Sequence, residues 1–516
     1  MEKEEKVSSS PLSSLSISQS TTVGWRMAKD GRIHRKRRIE YPNGDEYNGE
    51  VVNGRRDGVG KLQTSKYTYV GSFRHGLFDG RGTFTWCNFK EDDIDIVGRK
   101  FVGVFQKGKR NGEGVLYDGK GGTWEGTWKD DVFHGKGRIR KADGELLEGF
   151  FVNGKLHCDD GHICFSNGDI YQGGVHFGIL HSEVAHISYG YDNNSSYYTG
   201  QFHYNTKHGI GIRLFIDGST YRGNFLNNNI NGQGTMHYAD NSRTLKHYSG
   251  EWKDGVFHGM GELRFQANCD IESYKGEFRN GLYHGHGKLL YRDGGYYEGE
   301  FKNSTITGTE DRFLTQTSPF TGTKHGQGRR VWASGNTFEG TWDNDQMIEG
   351  KYFDKTHCST YAGTFVNNKK CGPSGREIWR STSSRIDDKL SSFRDPCLKW
   401  KHKGDETCKY VGEYKSGYFH GRGIFSCSDG REYDGEWKFG KQHGYGVATL
   451  LAKYQIGDPK RMYIGKYGSL YKPIKYEGEW ENGVQHGNGK FTFLDGSEKR
   501  GEFVYGHLKE EYRYCN

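Results

Sequence analysis

The sequence predicts an all-β protein, an elongated single-layer antiparallel meander of tandem β-hairpin repeats of about 23 residues each. Three observations predict this fold. An aromatic-x-Gly motif recurs along most of the chain, Gly-rich turn signals follow each copy, and no segment shows helical periodicity. Short strands joined by tight turns at regular spacing form a sheet whose units contact mainly their neighbours.

The amino-acid composition points to a core made of aromatic rings. Glycine supplies 79 of 516 residues and proline only 7, without a strict Gly-X-Y period, which excludes collagen and proline-rich linkers. Hydrophobic residues are 33% of the chain, and aromatic residues alone are 15%. Because disordered chains are poor in aromatic residues, we expect a folded chain held together by aromatic packing.

The aromatic-x-Gly motif, called the anchor below, defines the repeat. Its best copies continue with Glu-Trp/Phe-x-x-Gly, then His-Gly-x-Gly, then Asp-Gly, as in residues 274–294 and, with Tyr414 at the Trp/Phe position, in residues 410–430. Asp-Gly pairs such as Asp217-Gly218 predict tight turns that need positive φ. Anchors begin at Tyr47, Tyr69, Phe101, Trp124, Tyr171, Tyr198, Tyr221, Tyr248, Tyr274, Tyr297, Phe320, Phe338, Tyr361, Tyr410, Tyr433, Tyr463 and Tyr476, with degenerate copies at Leu147 and Lys499.

Strand geometry assigns the repeat residues to two faces. Alternation places Tyr433, Gly435 and Trp437 on one face, which is aromatic. Asp434 and Glu436 then lie on the other face, which is solvated. The glycine leaves a gap over which the ring of a neighbouring strand can lie. The residues predicted to hold such structural positions are Tyr410, Gly412, His420, Gly421, Gly423, Tyr433, Gly435, Trp437, His443, Gly444 and Gly446.

These motifs resemble the MORN repeat, whose consensus is Tyr-x-Gly-x-Trp/Phe-x-x-Gly-x-x-His-Gly-x-Gly. The consensus is matched at residues 248–261, 274–287, 433–446 and 476–489, and at 410–423 with Tyr414 at the Trp/Phe position. The sequence departs from it at 157–186 and 302–320, where we expect irregular hairpins or insertions. The resemblance implies a hairpin array and an interaction role, since members of this family occur in radial spokes, basal complexes and membrane junctions.

The repeats divide the chain into four predicted segments. They are a disordered, Ser-rich and basic tail at 1–40, a repeat array at 41–370, an irregular basic insertion or degenerate repeat at 371–409, and C-terminal repeats at 410–516. Neither non-repeat segment reaches the roughly 100–150 residues of a typical catalytic domain. The chain is therefore predicted not to be an enzyme, with no catalytic residue and no cofactor.

Motifs that imitate catalytic signatures arise from the repeat itself. Eight histidines of His-Gly-x-Gly occupy equivalent positions, whereas a catalytic histidine needs unique surroundings. Gly-x4-Gly-Lys at 103–109, 149–155 and 435–441 lacks the following Ser or Thr and a helix that would hold phosphate. We therefore predict neither a P-loop nor a catalytic histidine.

No metal site is expected, because the spacing of His157, Cys158, His162 and Cys164 matches no standard zinc motif. The ten cysteines lie far apart, which is typical of a reducing compartment. The chain has no apolar run of spanning length and no apolar signal region at its start. We therefore expect a cytoplasmic protein.

The net charge of +8 is concentrated outside the repeats. Residues 1–40 carry +4 and residues 371–409 carry +3, so the array is nearly neutral and nucleic acid is not an expected partner. The cluster Arg35, Lys36, Arg37 and Arg38 is the candidate contact with anionic lipid or an acidic partner. A solvated tail and a nuclear import signal are the alternatives.

The leading functional hypothesis is a non-enzymatic elongated scaffold that mediates protein–protein interaction at a cytoskeletal or ciliary structure. The alternative is a membrane-surface module that contacts anionic phospholipids. Expected partners are proteins of unknown identity, and a homodimer is a further option, because an open aromatic face of this length favours association.

The repeat count predicts the dimensions of the protein. About 17 hairpins with two strands each, spaced ~4.8 Å apart, extend roughly 160 Å before twist shortens the sheet. A globular chain of this length has a radius of gyration of only ~24 Å. Small-angle scattering should therefore give a clearly larger radius, whereas a value near the globular one would mean that the hairpins fold back into layers.

Overall fold

The structure is a computed structural model of the 516-residue chain. It describes residues 19–27, 33–87, 89–91, 94–96, 98–193, 195–302, 322–380, 407–449, 463–464, 470–471 and 473–509. The chain divides into two compact units, Met1–Ala239 and Asp240–Asn516.

The strands of the first unit are β1 Gln19–Met27, β2 Ile33–Glu40, β3 Glu46–Val52, β4 Arg55–Gln63, β5 Tyr67–Arg74, β6 Leu77–Trp86, β7 Phe89–Glu91, β8 Ile94–Ile96, β9 Lys100–Gln106, β10 Lys109–Tyr117, β11 Thr123–Lys129, β12 Val132–Arg140, β13 Leu146–Val152, β14 Lys155–Leu156, β15 Cys158–Cys164, β16 Ile170–His176, β17 Ile179–Leu180, β18 Ser182–Ser188, β19 Tyr197–His203, β20 Thr206–Leu214, β21 Thr220–Leu226 and β22 Asn229–His237. A short 3-10 turn, Gly190–Asp192, precedes β19.

The strands of the second unit are β23 Leu245–Lys253, β24 Val256–Phe265, β25 Ile271–Arg279, β26 Leu282–Tyr291, β27 Tyr296–Lys302, β28 Thr323–Val331, β29 Thr337–Asp343, β30 Gln346–Asp354, β31 Ser359–Val366, β32 Lys369–Arg380, β33 Thr407–Lys415, β34 Tyr418–Cys427, β35 Glu432–Lys438, β36 Lys441–Thr449, β37 Tyr463–Ile464, β38 Leu470–Tyr471, β39 Pro473–Glu481, β40 Val484–Phe493, β41 Glu498–Val504 and β42 His507–Leu508.

Both units are antiparallel meanders, which confirms the predicted fold class. Each long strand pairs with the next one along the chain, as β3 does with β4 and β24 with β25. Two small hairpins stand outside this order. β7 and β8 pair only with each other while β6 pairs directly with β9, and β37 and β38 likewise leave β36 paired with β39. No helix among the described residues has the length and apolar character needed to cross a membrane.

Two kinds of turn alternate along the meander. The turn inside each hairpin has two central residues that both have positive φ, as in Asn53 (50°) and Gly54 (74°), which is the type I′ geometry that matches strand twist. The turn between hairpins has three residues, and only its glycine has positive φ, as in Gly218 at 87°. The preceding Asp217 caps this turn, because its side chain accepts the N–H of Ser219 at 2.8 Å. The Asp-Gly prediction is thus confirmed for the glycine, while the aspartate acts as a side-chain acceptor.

A row of paired glycines runs across each unit. The anchor glycine of one strand faces a glycine of the next strand, as in Gly412 with Gly423 and Gly435 with Gly446. The ring of the anchor tyrosine lies over both members of the pair. A Cβ added to Gly435 would come within 2.7 Å of the Tyr433 hydroxyl and within 2.5 Å of the Cα of Gly446. Only glycine allows the two strands and the ring to approach this closely.

The aromatic rings of the second unit form an unbroken ladder. Each ring four residues after an anchor contacts its own anchor ring and that of the preceding hairpin edge-on, with centroids 4.9–5.6 Å apart. The ladder runs through Tyr248, Trp252, Phe278, Tyr274, Phe301, Tyr297, Trp342, Phe338, Phe365, Tyr361, Tyr414, Tyr410, Trp437, Tyr433, Trp480, Tyr476 and Phe503. Edge-to-face contacts are the favoured geometry for such rings, so each hairpin docks on the preceding one through its core.

A second aromatic ring stacks on the anchor ring and covers the face of that ring that points away from the glycines. In several hairpins the second residue after the type I′ turn stacks on the anchor ring, with centroids 3.7 Å apart for Tyr283 on Tyr274 and 3.8 Å for Phe419 on Tyr410. The anchor tyrosines are therefore almost fully buried. This burial removes the open aromatic face on which the expectation of a homodimer rested, and the oligomeric state itself stays a prediction.

Two predicted boundaries need correction. Residues 19–27 and 33–40 form β1 and β2, which continue the sheet onto β3, so this part of the predicted disordered tail is ordered. Residues 371–380 belong to β32, so the interruption begins later than predicted, and 381–406 lie outside the described residues. The repeat pattern does not predict these strands, because none of them contains an aromatic-x-Gly anchor.

Two predicted anchors need separate mention. Phe320 lies outside the described residues. Tyr463 belongs to the separate β37–β38 pair.

Two cysteines that are well separated in the sequence meet in the fold. Cys408 and Cys427 are direct cross-strand neighbours on β33 and β34 and form a disulfide. The two residues lie 19 positions apart in the sequence, and only the register of the hairpin brings them together.

The glycine row generates a stability prediction. An added Cβ at Gly446 would lie 2.5 Å from Cζ and 2.7 Å from Cε2 of Tyr433, so Gly446→Ala should lower the free energy of unfolding by about 2–3 kcal/mol through overpacking. At Gly496, where φ is 83° and no atom lies within 4 Å, Gly496→Ala should cost only the left-handed strain of about 1 kcal/mol. Urea unfolding of both variants checks this. Equal losses would show that the ring contact does not constrain the glycine.

Candidate interaction surface

The predicted structural residues between Tyr410 and Gly446 form two successive copies of one unit. Tyr410 and Tyr433 are buried, and Tyr433 donates its hydroxyl to the carbonyl of Glu436 at 2.9 Å. Burial raises the pKa of both phenols well above the ordinary tyrosine value, so they stay neutral. Trp437 donates its indole N–H to the carbonyl of Gly423 at 3.0 Å. These residues are committed to the interior.

The glutamate after the anchor glycine has a role that sequence reasoning missed. The glycine that follows the repeat histidine is left-handed, with φ 53° at Gly421, and the strand bulges there. The Glu413 carboxylate accepts the N–H of the next residue, Arg422, at 2.9 Å. The same bond links Gln201 to Ile210, Glu251 to Met260, Glu277 to His286 and Glu300 to Gln327. The glutamate thus satisfies a backbone donor that the bulge leaves without a ladder partner.

The repeat histidines lie beside the type I′ turns. The His420 ring is 5.1 Å from the ring of Phe439, and that of His486 is 6.0 Å from Tyr505, each in the turn of the next hairpin. These contacts give the histidines a packing role between hairpins. Within the described part of the chain, no group of three or more His, Cys, Asp or Glu residues is arranged to hold a metal ion.

The position that stacks on the anchor ring accepts cations as well as rings. Arg110 lies over Trp128 with 4.3 Å to the ring centroid, and Lys207, Lys324 and Lys370 occupy equivalent positions. Lys207 lies 5.7 Å from the Tyr198 ring centroid and donates to the Tyr189 hydroxyl at 2.9 Å. Burial, and to a lesser degree the neighbouring Arg213, lower the pKa of Lys207 to about 8.

The face opposite the rings carries a row of side chains that changes from repeat to repeat. We call it the outer row: it comprises the residue between the anchor aromatic and the anchor glycine, and its cross-strand partners. In the first unit it includes Val102 opposite both Thr83 and Val115. In the second unit it alternates charge from Lys288 to Lys351, as in Glu298 opposite both Lys288 and Arg329, and turns apolar at Val411 and Ile424. Val102 is 41% exposed, so this row contacts solvent and is free to contact a partner.

The predicted cationic cluster is divided between two faces. Arg35 to Arg38 lie in β2, where Ile39, paired with Tyr47, points to the aromatic face. Alternation places Arg35 and Arg37 on that face and Lys36 and Arg38 on the other. Arg38 pairs with Glu40 at 3.3 Å and Glu46 at 2.9 Å. The four residues therefore do not form one positive patch, and their contact with lipid or an acidic partner stays a prediction.

Comparisons with known proteins agree with this geometry. A family model described as MORN repeat matches thirteen segments that together cover more than half of the chain. They are residues 47–68, 69–89, 101–123, 124–145, 198–220, 221–243, 248–269, 274–296, 322–337, 361–381, 410–430, 433–450 and 476–498. Residues 146–197 contain β13 to β18 and lie between two matched segments, so these hairpins depart from the consensus while keeping the meander.

Curated relatives match a smaller part of the chain. Alsin of Homo sapiens and Alsin of Pan troglodytes are each 29% identical over 220 residues, which is 41% of this chain and 13% of the relative. Alsin of Mus musculus matches over the same length with the same identity. The chain thus aligns with about an eighth of the length of these proteins.

The low pKa of Lys207 predicts a pH-dependent stability. The folded chain releases this proton near pH 8 and an unfolded lysine does so near pH 10.4, so the unfolded state binds more protons between these values. Stability should rise with pH across that window, whereas below pH 8 the buried charge lowers it. Lys207→Met should therefore stabilise the protein at pH 7, and its advantage should shrink as the pH rises above 8.

Urea unfolding at pH 7 and pH 9.5 checks the effect of Lys207→Met. The control is Lys324→Met at the equivalent position, where Asp345 pairs with the ammonium at 2.8 Å and loss of the cation should instead destabilise. If Lys207→Met raised the free energy of unfolding by the same amount at both pH values, the lowered pKa of Lys207 would be contradicted.

Proposed function

The chain belongs to the MORN repeat family, and we propose that it is a non-enzymatic scaffold that mediates protein–protein interaction. A cytoskeletal or ciliary structure in the cytoplasm is the proposed setting. Repeats of this family are commonly protein or membrane interaction modules, and the likeness to Alsin fits a signalling scaffold.

The observation that carries the proposal is that the two faces of the sheet differ: one holds the recurring residues that pack within the chain, and the other presents variable residues to solvent. The residues that recur in each repeat, namely the anchor aromatic, the paired glycines, the glutamate and the histidine, are engaged with the chain itself. The outer row instead varies between apolar and charged side chains while its positions stay fixed by strand pairing. A surface with fixed spacing and variable chemistry is suited to recognising other proteins along its length.

The membrane alternative has less support from the geometry. Binding to anionic lipid needs several cations on one surface. The cluster at residues 35–38 is divided between two faces, and Arg38 is already paired with carboxylates. The outer row of the second unit places carboxylates opposite its cations, as Glu298 lies opposite both Lys288 and Arg329, and these carboxylates weaken attraction to anionic lipid.

A paired experiment separates the two functions. The full chain is used as bait in a cytoskeletal fraction, captured proteins are purified and rebound directly, and cosedimentation with anionic liposomes is run in parallel. We expect direct, saturable binding to a protein and no cosedimentation above that of neutral liposomes. Liposome binding without a directly binding protein would overturn the proposal in favour of the membrane alternative.

Histidine variants test the non-enzymatic part of the proposal. His258→Ala and His443→Ala should lower stability because they remove packing between hairpins, while protein binding per folded molecule stays unchanged. A chemical activity that His258→Ala abolishes at unchanged stability would contradict this.

A further inference from the structure

Two neighbouring type I′ turns of the first unit present aromatic rings to solvent. Phe177 and Tyr204 are the first central residues of these turns, with φ of 52° and 47°, and they are 52% and 66% exposed. The flanking turns have Asn153 and Asn227 at this position, and asparagine tolerates positive φ better than a bulky residue does. Aromatic residues also hold this position at Phe439 and Tyr505 of the second unit, but only Phe177 and Tyr204 hold it in consecutive turns of the described chain. Because a bulky residue at positive φ strains its own backbone, two adjacent exposed rings favour a binding role for this edge.

A row of imidazoles connects the two aromatic rings. The ring of His157 stacks on Phe177 with centroids 4.2 Å apart, and His203 contacts Tyr204 at 4.4 Å. Between them, His176 and His181 continue the row, with centroid distances of 5.4, 5.2 and 4.9 Å from His157 through to His203. The rings thus form a continuous row along the turn edge, with neighbouring ring planes inclined by 21° to 69°, in and beside the stretch that departs from the consensus.

Carboxylates border this row on one side. Asp159 lies 4.0 Å from the Nε2 of His176 and is fully exposed. Asp159 and Asp160 line a cavity of about 280 Å³ together with Val184 and His186. Within the described ranges, neither aspartate forms an ion pair with a lysine or arginine.

Half-buried Lys207 forms no ion pair with these carboxylates among the described residues. Lys207 points into the core, where its Nζ donates to the Tyr189 hydroxyl. Exposed Glu183, which accepts a bond from Gln201 at 2.6 Å, is the sequence neighbour of the cavity residue Val184 and adds a further carboxylate. The surface therefore combines aromatic rings with carboxylates.

We propose that this surface docks a basic segment of a partner protein. It comprises Phe177, Tyr204, the four imidazoles between them, and the carboxylates of Asp159 and Asp160, and we call it the turn-edge surface. Lysine or arginine side chains of the segment would meet the carboxylates and the faces of the rings, and apolar neighbours would cover Phe177 and Tyr204. The inference rests on the proposed scaffold function and names one surface for it. An anionic membrane fits less well, because the carboxylates would repel it.

The test uses the full chain and short synthetic peptides in three pools, which combine Leu and Phe with Lys/Arg, with Asp/Glu or with Ser/Gly. The basic pool should bind about tenfold more tightly than the other two, and added salt should weaken it. Vesicles rich in anionic phospholipid form a fourth arm, in which we expect no binding that depends on Phe177 or Tyr204.

Variants assign the binding to the turn-edge surface. Phe177→Asn with Tyr204→Asn introduces the residue that the flanking turns use, so the fold should be kept, and binding of the basic pool should fall about tenfold. Asp159→Asn with Asp160→Asn should weaken binding and reduce its salt dependence. The matched control is Phe439→Asn, the same change at an exposed turn aromatic of the second unit (φ 48°), which should leave binding unchanged.

Four results would overturn this inference. They are preference for the acidic or neutral pool, no binding by any pool, binding that survives the Phe177→Asn and Tyr204→Asn change, and vesicle binding that depends on these two rings. The first three leave the scaffold proposal standing, since that is decided by direct rebinding of a captured protein. The fourth, together with liposome binding by the unmodified chain, would favour the membrane alternative.

Discussion

The contact on which the rest of this structure depends is an anchor ring lying flat over two opposed glycines. In the Tyr433 hairpin, Gly435 and Gly446 let the strands approach the ring, and the Tyr433 hydroxyl then reaches the carbonyl of Glu436. The ring fills the gap that the missing side chains leave, so a sheet of one layer has a packed interior. The stacked ring above and the edge-on ring beside it complete the burial, and the aliphatic content can therefore be low.

Neighbouring hairpins are coupled at their turns as well as through their cores. The second residue of a type I′ turn donates its N–H to the carbonyl of the stacking residue one hairpin earlier, as Gly440 does to Phe419. Where that turn residue is Asn or Asp, its side chain also accepts the N–H of the earlier strand, as Asn228 does from Lys207. Core contacts and turn contacts thus specify the same neighbour, which is typical of proteins whose stability is a sum of local interfaces.

Much of the repeat could be predicted from the sequence, because faces and turns are local properties. Alternation assigned Tyr433 and Trp437 to one face, and Asp-Gly marked the turns between hairpins. The glycine pairing could not be predicted, since Gly435 and Gly446 meet only once the register is set. Glu436, which holds the same repeat position as Glu413, is assigned by alternation to the solvated face, because the acceptor role seen at Glu413 depends on a bulge in the next strand. β2 was missed for a different reason, since Arg35 to Arg38 give it the composition of a solvated tail. The turn-edge surface could not be predicted, because the sequence does not show that Phe177 lies at positive φ in an exposed turn.

The glycine pairs also determine where the chain tolerates added length. Four connections between consecutive meander strands are long, and each is followed by an intact pair: Gly82 with Gly103, Gly299 with Gly328, Gly375 with Gly412, and Gly446 with Gly478. Since the interior rather than the loop restores the alignment, such a connection can lengthen without a shift of the strands that follow. The array therefore behaves as a carrier for inserted segments, on which new binding sequences can evolve at either edge while the core chemistry stays fixed.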